Sequence, residues 1–238
     1  MTLKILAIET ATEACSAALL VNDEDANKDA NDQIFSRFQL APREHTKLIL
    51  PMSAEVLDEA GMTLNDVDAI AFGRGPGAFT GLRIAAGVAQ GLALSVDIPV
   101  VPVSTLAALA LQASEQKAHH QLILAALDAR MDEVYWGTFS QQLLQGEERV
   151  SPANTMLEAI HDNYSDTLIT GIGSGWDVYQ DQLDLNSDIQ VINHAFPSAE
   201  QIAKLALDKF KRGESVDAAE AQPVYIRDNV AEKTKKNS

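Results

Sequence analysis

Near its start the chain alternates between short apolar runs and polar tips. Leu3–Ile8 is an apolar run of strand length, and Cys15–Val21 repeats it after the polar tip Glu9-Thr10-Ala11-Thr12-Glu13, so the pair predicts a hairpin. Asn22–Asp32 is dominated by Asn and Asp and predicts a solvated turn, after which Ile34–Leu40 returns as a third strand. From Glu44 to Ala60 the period lengthens. Leu48, Met52, Val56 and Ala60 recur at spacing four with Ile49 and Leu57 beside them, and Gly61 ends the run, which predicts a helix with a glycine C-cap. Pro51 inside this run predicts a kink or a start near Leu50.

Val67–Gly73 predicts a strand and the segment from Gly75 to Gly81 a loop, with Thr80 placed to cap a helix over Leu82–Val96. A strand over Pro99–Val103 leads to an apolar helix capped by Ser104 and running to about Glu115. Gln121–Leu127 and Glu133–Phe139 predict strands that flank Asp128-Ala129-Arg130, read as an ion pair at a turn. A helix over Pro152–His161, strands at Thr167–Gly171 and Ile189–Ile192, and an amphipathic helix over Ser198–Lys211, capped by Ser198 and stopped near Gly213, complete the pattern. Ala231–Ser238 is polar and predicted to fray. Strands and helices alternate through two halves, which predicts an α/β chain of two lobes. The first lobe is placed at residues 1–104, with three antiparallel strands and two helices. The second is placed at 105–238, and whether its tail returns to the first is left open.

Composition narrows the function classes. With 18 Lys+Arg against 34 Asp+Glu the net charge is −16, so the chain cannot by itself neutralise a phosphate backbone, and a nucleic-acid role has to be indirect. One cysteine, Cys15, excludes an intramolecular disulfide and a zinc cluster. The first apolar run is cut by Glu9, unlike a signal peptide, and the longest uncharged stretch, Ile98–Ser114, is too short to span a bilayer. These features predict a soluble, cytoplasmic protein.

Three features could carry chemistry. The hairpin tip with Glu9, Thr10 and Thr12 could hold an anion through hydroxyls and backbone N–H groups, although turn hydrogen bonding accounts for the same residues. Gly75, Gly77, Thr80 and Arg83 lie where a strand opens into a helix, a geometry that suits an anion or a nucleotide phosphate, but the Lys-Ser/Thr of a P-loop is missing. Finally, Gly87 and Gly91 interrupt an alanine-rich helix, and each costs about 1 kcal/mol against alanine, so a compensating reason is required. Small residues at spacing four admit a second helix. Leu82, Ala85, Ala86, Ala89 and Ala93, together with Leu48, Met52 and Val56 on the preceding helix, are therefore the candidate partner interface, against burial within the monomer as the default. No two histidines stand at ligand spacing and no Gly-x-Ser-x-Gly occurs, so no catalytic and no metal-ligating residue is assigned.

Ile5-Leu6-Ala7-Ile8-Glu9-Thr10-Ala11-Thr12, Cys15-Ser16-Ala17-Ala18-Leu19 and Glu44-His45-Thr46-Lys47-Leu48-Ile49-Leu50-Pro51 resemble successive motifs of the bacterial TsaB (YeaZ) family. Gly75-Pro76-Gly77-Ala78-Phe79-Thr80-Gly81-Leu82-Arg83 is the most specific of them, and Val103-Ser104-Thr105-Leu106, Asp128-Ala129-Arg130 and Pro223-Val224-Tyr225-Ile226-Arg227 extend the similarity over nearly the whole chain. Glu9 departs from the family, which usually carries Asp there. The resemblance implies a two-lobed, actin-like and sugar-kinase-like ATPase fold (the ASKHA superfamily). It implies a non-catalytic scaffold or activator in the transfer of a threonylcarbamoyl group to adenosine 37 of tRNAs that read codons beginning with A. The implied partners are TsaD, which binds metal and performs the transfer and would pair through the helices at about Glu44–Ala60 and Leu82–Val96, and the ATPase TsaE. Alone, the same face would form a homodimer. No tightly bound cofactor is implied, with room for ATP or ADP at the complex interface, and tRNA would be met only through the complex. Two other functions stay open: an ATP-binding transferase or ATPase in its own right, and a glycopeptidase-like protease.

Overall fold

The computed structural model describes residues 2–23, 32–116, 122–140, 143–164, 167–179 and 189–227. Most of the expected Asn22–Asp32 turn and the whole of Ala231–Ser238 lie outside the described residues. The first sheet has five strands, β1 (Thr2–Glu9), β2 (Ala14–Asp23), β3 (Gln33–Leu40), β4 (Ala69–Gly75) and β5 (Val100–Ser104), in the order β3-β2-β1-β4-β5. β1 pairs antiparallel with β2 and β2 with β3, whereas β4 runs parallel to β1 and β5 parallel to β4. Both faces of this sheet are buried, which is why Leu3–Ile8 reads as a nearly continuous apolar run. Leu6 and Ile8 point to one side, under α1 (His45–Glu59) and α2 (Phe79–Val96). Leu3, Ile5 and Ala7 point to the other, under α6 (Ala199–Lys211), so the last helix packs on the first sheet.

The second sheet contains β6 (Leu122–Arg130), β7 (Glu133–Ser140), β8 (Leu143–Leu144), β9 (Arg149–Pro152), β10 (Ile169–Ile172) and β11 (Ile189–Ile192), in the order β11-β10-β6-β7-β8 with β9 also on β7. α3 (Thr105–Gln116) covers one face with Leu106, Leu109 and Ala113, while α4 (Ala153–Asn163) and α5 (Ser174–Tyr179) cover the other around Trp176. Two layered sheets joined by α3 form the two-lobed actin-like, sugar-kinase-like ATPase architecture.

Local chemistry explains most boundaries. Ser198 Oγ accepts from Glu200 N at 3.2 Å and Ser104 Oγ from Ala107 N at 3.1 Å, so both serines cap as expected. Thr80 does not. α2 begins at Phe79, three residues before the expected start at Leu82, with Ala78 at its N-cap and no side-chain cap. Pro51 sits inside α1, which starts at His45 because the His45 ring is anchored from the other side: Nε2 lies 2.9 Å from the Thr12 carbonyl and 3.2 Å from that of Ala14. β8, β9 and α5 have two, four and six residues, too short to show a period, and no sequence pattern announces them. α2 has the length and apolar content of a bilayer span, but it lies on the first sheet with six residues buried there.

Candidate functional site

The hairpin tip and the glycine loop meet, but they fill each other. A Cβ on Gly77 would lie 2.6 Å from the Ala11 carbonyl oxygen, and one on Gly81 only 2.0 Å from that of Thr10. Thr10 Oγ1 donates to the Gly81 carbonyl at 2.7 Å, and the Ala78 amide donates to the Ala11 carbonyl, also at 2.7 Å. These glycines therefore admit the chain's own backbone, and the space a phosphate would enter is taken. Glu9 is fully buried behind the tip; its Oε1 accepts from the Ala11 amide and its Oε2 has no partner. Burial pushes its carboxyl up to about 7, the amides of Ala11 and Thr10 opposing the shift. Gly75 faces the Val224 carbonyl, and Thr12 Oγ1 accepts from the Ala14 amide at 3.3 Å. The seven residues of the candidate anion loop are thus near one another, but as a packed joint. Thr80 and Arg83 are the exceptions and stand outside the joint: both are exposed, and the Arg83 side chain lies on the Phe79 ring.

Between the lobes lies a cleft of about 820 Å³. Its walls are the hairpin tip, the start of α2, the β6–β7 turn, α5 and the segment Val224–Arg227. Phe196 and Val178 also line it, and no sequence motif reaches either, because they stand at isolated loop and helix positions. The two arginines among its described lining residues each contact a carboxylate, Arg130 lying 3.1 Å from Glu13 and 2.9 Å from Asp128 and Arg227 touching Glu133, while His194 Nδ1 stands 3.8 Å from Asp177. The Asp128–Arg130 ion pair read from the sequence is present. No glycine cradle faces a phosphate there, since Gly75, Gly77 and Gly81 are closed by the carbonyls of Val224, Ala11 and Thr10. The β6–β7 turn carries Arg130, Met131 and Asp132 in succession with φ of 63°, 58° and 59°, a run of left-handed non-glycine residues at the cleft mouth.

Most of the residues expected at a partner face lie inside the chain. Val56, Ala85, Ala89 and Ala93 are buried at 0% exposure, and Met52 and Ala86 nearly so, within the core that α1 and α2 share with the first sheet, while Leu82, also buried, packs beside Gly75 at the cleft. Only Leu48 of that set is partly exposed. The reason is steric: alanines let α2 lie close on β4, whose own side chains are large. The opposite stripe is the open one. Gly87 and Gly91 are exposed, and a Cβ on either would meet nothing within 4 Å. Ile84, Val88 and Leu92 are only partly covered beside them, Leu94 is exposed, and Leu50 is exposed on α1. The glycines that the sequence marked as needing a reason therefore have none inside this chain.

Comparison with known proteins bears on the family and the fold. The family model described as "TsaD: tRNA N6-adenosine threonylcarbamoyltransferase" matches residues 37–235. The tRNA threonylcarbamoyladenosine biosynthesis protein TsaB of Escherichia coli (strain K12) is 41% identical over 237 residues, covering 96% of either chain. Its counterpart in Haemophilus influenzae is 39% identical over 244 residues, covering 96% of this chain and 95% of the relative. The solved structure of YeaZ from Pseudomonas aeruginosa superposes with a TM-score of 0.80 at 42% identity, covering 94% of this chain and 99% of that one. With its fold and sequence shared over nearly the full length, the chain belongs to the threonylcarbamoyltransferase family and, within it, to the TsaB (YeaZ) proteins of tRNA threonylcarbamoyladenosine biosynthesis.

Proposed function

We propose that this chain is a cytoplasmic, non-catalytic scaffold subunit of the threonylcarbamoyl-transfer machinery that modifies adenosine 37 of tRNA. It docks the transferase subunit TsaD through the outer stripe of α2 and the adjoining surface of α1. The observation that carries this reading is the pair of helix-interior glycines, Gly87 and Gly91, whose missing side chains face open space. Each costs about 1 kcal/mol relative to alanine. A partner helix approaching the backbone at that stripe would offset the cost by close packing, with Ile84, Val88 and Leu92 as its apolar flanks. In the absence of TsaD the stripe pairs with that of a second copy, giving a homodimer. The ATPase TsaE joins the heterodimer, and tRNA is met through the assembly, in keeping with a net charge of −16. The cleft holds no nucleotide tightly, because its arginines are engaged by carboxylates.

Gly91→Arg tests the docking reading. The new side chain has room in the monomer, so circular dichroism shows the variant folded, while size-exclusion chromatography with TsaD shows the two proteins eluting apart and tRNA modification is lost. Co-elution unchanged by Gly91→Arg refutes the docking face. Calorimetry with millimolar ATP and Mg²⁺ tests the cleft: no heat of binding is expected from the isolated chain, and saturable binding overturns the scaffold reading in favour of an ATP-dependent enzyme.

A further inference from the structure

At the start of α2 three side chains form one stack. Phe79 and Tyr225 are 53% and 44% exposed, with ring centroids 5.5 Å apart. The guanidinium carbon of Arg83 sits 4.0 Å from the Phe79 centroid, and Arg83 Nε donates to Tyr225 Oη at 3.2 Å. Tyr225 comes from the segment that passes β4, where the Val224 amide donates to the Arg74 carbonyl at 2.8 Å. The stack is thus built from two distant parts of the chain. It is not a lining of the cleft alone: Phe79 and Tyr225 border the cleft, but Arg83 does not. One helical turn on from Arg83 is Gly87, and one more is Gly91, so the guanidinium flanks the open glycine stripe.

Three arginines, Arg43, Arg83 and Arg149, pair with no carboxylate among the described residues, and of these Arg83 is the one that stands on α2 beside the glycine stripe. Arg37, Arg74, Arg130, Arg212 and Arg227 each contact a carboxylate of this chain. Arg83 contacts none among the described residues, in a chain with nearly twice as many acids as bases. A guanidinium already held by a ring face and a phenol loses little freedom on pairing, and its terminal fork is left to engage a planar anion.

Resting on the docking reading above, we infer that Arg83 is the electrostatic anchor of that interface, held outward by Phe79 and Tyr225 to receive a carboxylate of the partner protein. A protein carboxylate is favoured over an RNA phosphate by the surroundings. The adjoining stripe is apolar and helix-sized, and binding a polyanion takes several clustered cations, whereas this stack offers a single one.

The test measures affinity for purified TsaD of the same organism, by biolayer interferometry at ionic strengths from about 0.05 to 0.5 M. Arg83→Gln is expected to weaken binding about 10- to 100-fold at low salt and to flatten its salt dependence, Arg83→Lys to recover part of the loss, and Tyr225→Phe to weaken binding a few-fold. Circular dichroism should show all three folded as wild type. Gly91→Arg serves as the reference. If it abolishes binding while Arg83→Gln stays within about twofold of wild type at every salt, the anchor is refuted and the docking face stands. If Gly91→Arg binds normally, the docking face itself is refuted and the anchor with it. If Arg83→Gln leaves TsaD affinity intact but weakens capture of tRNA by the assembled complex, the anion is an RNA phosphate and the proposal is overturned.

Discussion

Thr10 and Gly81 lock the hairpin tip to the first turn of α2: the Thr10 hydroxyl donates to the Gly81 carbonyl at 2.7 Å, and a Cβ on Gly81 would stand 2.0 Å from the carbonyl oxygen of Thr10. Backbone atoms on both sides leave nothing flexible to yield. The joint also orients α2 on its sheet, and hence decides which stripe of that helix is left in solvent.

The glycines of α2 should therefore respond in opposite directions to the same change. Gly81→Ala forces backbone apart and is expected to destabilise the fold by about 1–3 kcal/mol. Gly87→Ala and Gly91→Ala, with open space before them, should each stabilise it by about 0.5–1 kcal/mol through helix propensity. Urea unfolding of the three variants checks the sign of each.

Glu9 makes stability pH-dependent. Its carboxyl titrates at about 7 in the folded chain against 4.5 for an ordinary glutamate, because burial disfavours the charged form. The folded state holds the proton more tightly, so the contribution is complete below pH 4.5, is lost as pH rises towards 7, and levels off above that. The full swing is about 3 kcal/mol. Unfolding free energies across this range should fall for the wild type and lose that component in Glu9→Gln.

Cys15 should be inert in the native chain. It is fully buried, and burial with the nearby Glu9 carboxylate pushes its thiol up to about 11. A thiol-reactive chromophore at pH 8 is expected to label it only after denaturant is added; stoichiometric labelling of the folded chain would contradict the buried placement.

Glu148 ties the lobes together. Its side chain, 8% exposed, lies 3.4 Å from Arg74 of β4 and accepts from Ser104 at the end of β5, although it belongs to the segment leading into β9. Glu148→Ala leaves Arg74 without its carboxylate in a half-buried place and should cost about 1–3 kcal/mol. Hydrogen exchange should show faster opening at the ends of β4 and β5, with α4 unaffected.

Local periodicity made most elements of this chain legible, though not the short β8, β9 and α5. Leu3–Ile8 and Cys15–Val21 announced their strands because β1 and β2 are covered on both faces, and Ser198 announced α6 because its hydroxyl satisfies an amide that any helix start exposes. The motif from Gly75 to Arg83 identified the family. It did not reveal that its glycines accept Thr10 and Ala11, for close approach between residues some 70 positions apart leaves no local pattern. α2 posed the same difficulty. It is apolar on every side, so hydrophobicity could not say whether the alanines or the glycines face the sheet. Composition and spacing determined most strands and helices and the excess of acid. Only tertiary packing decided that Ala85 and Ala89 lie against β4 and that Gly87 and Gly91 look outward, because a helix buries whichever stripe its neighbours' backbones allow to come closest.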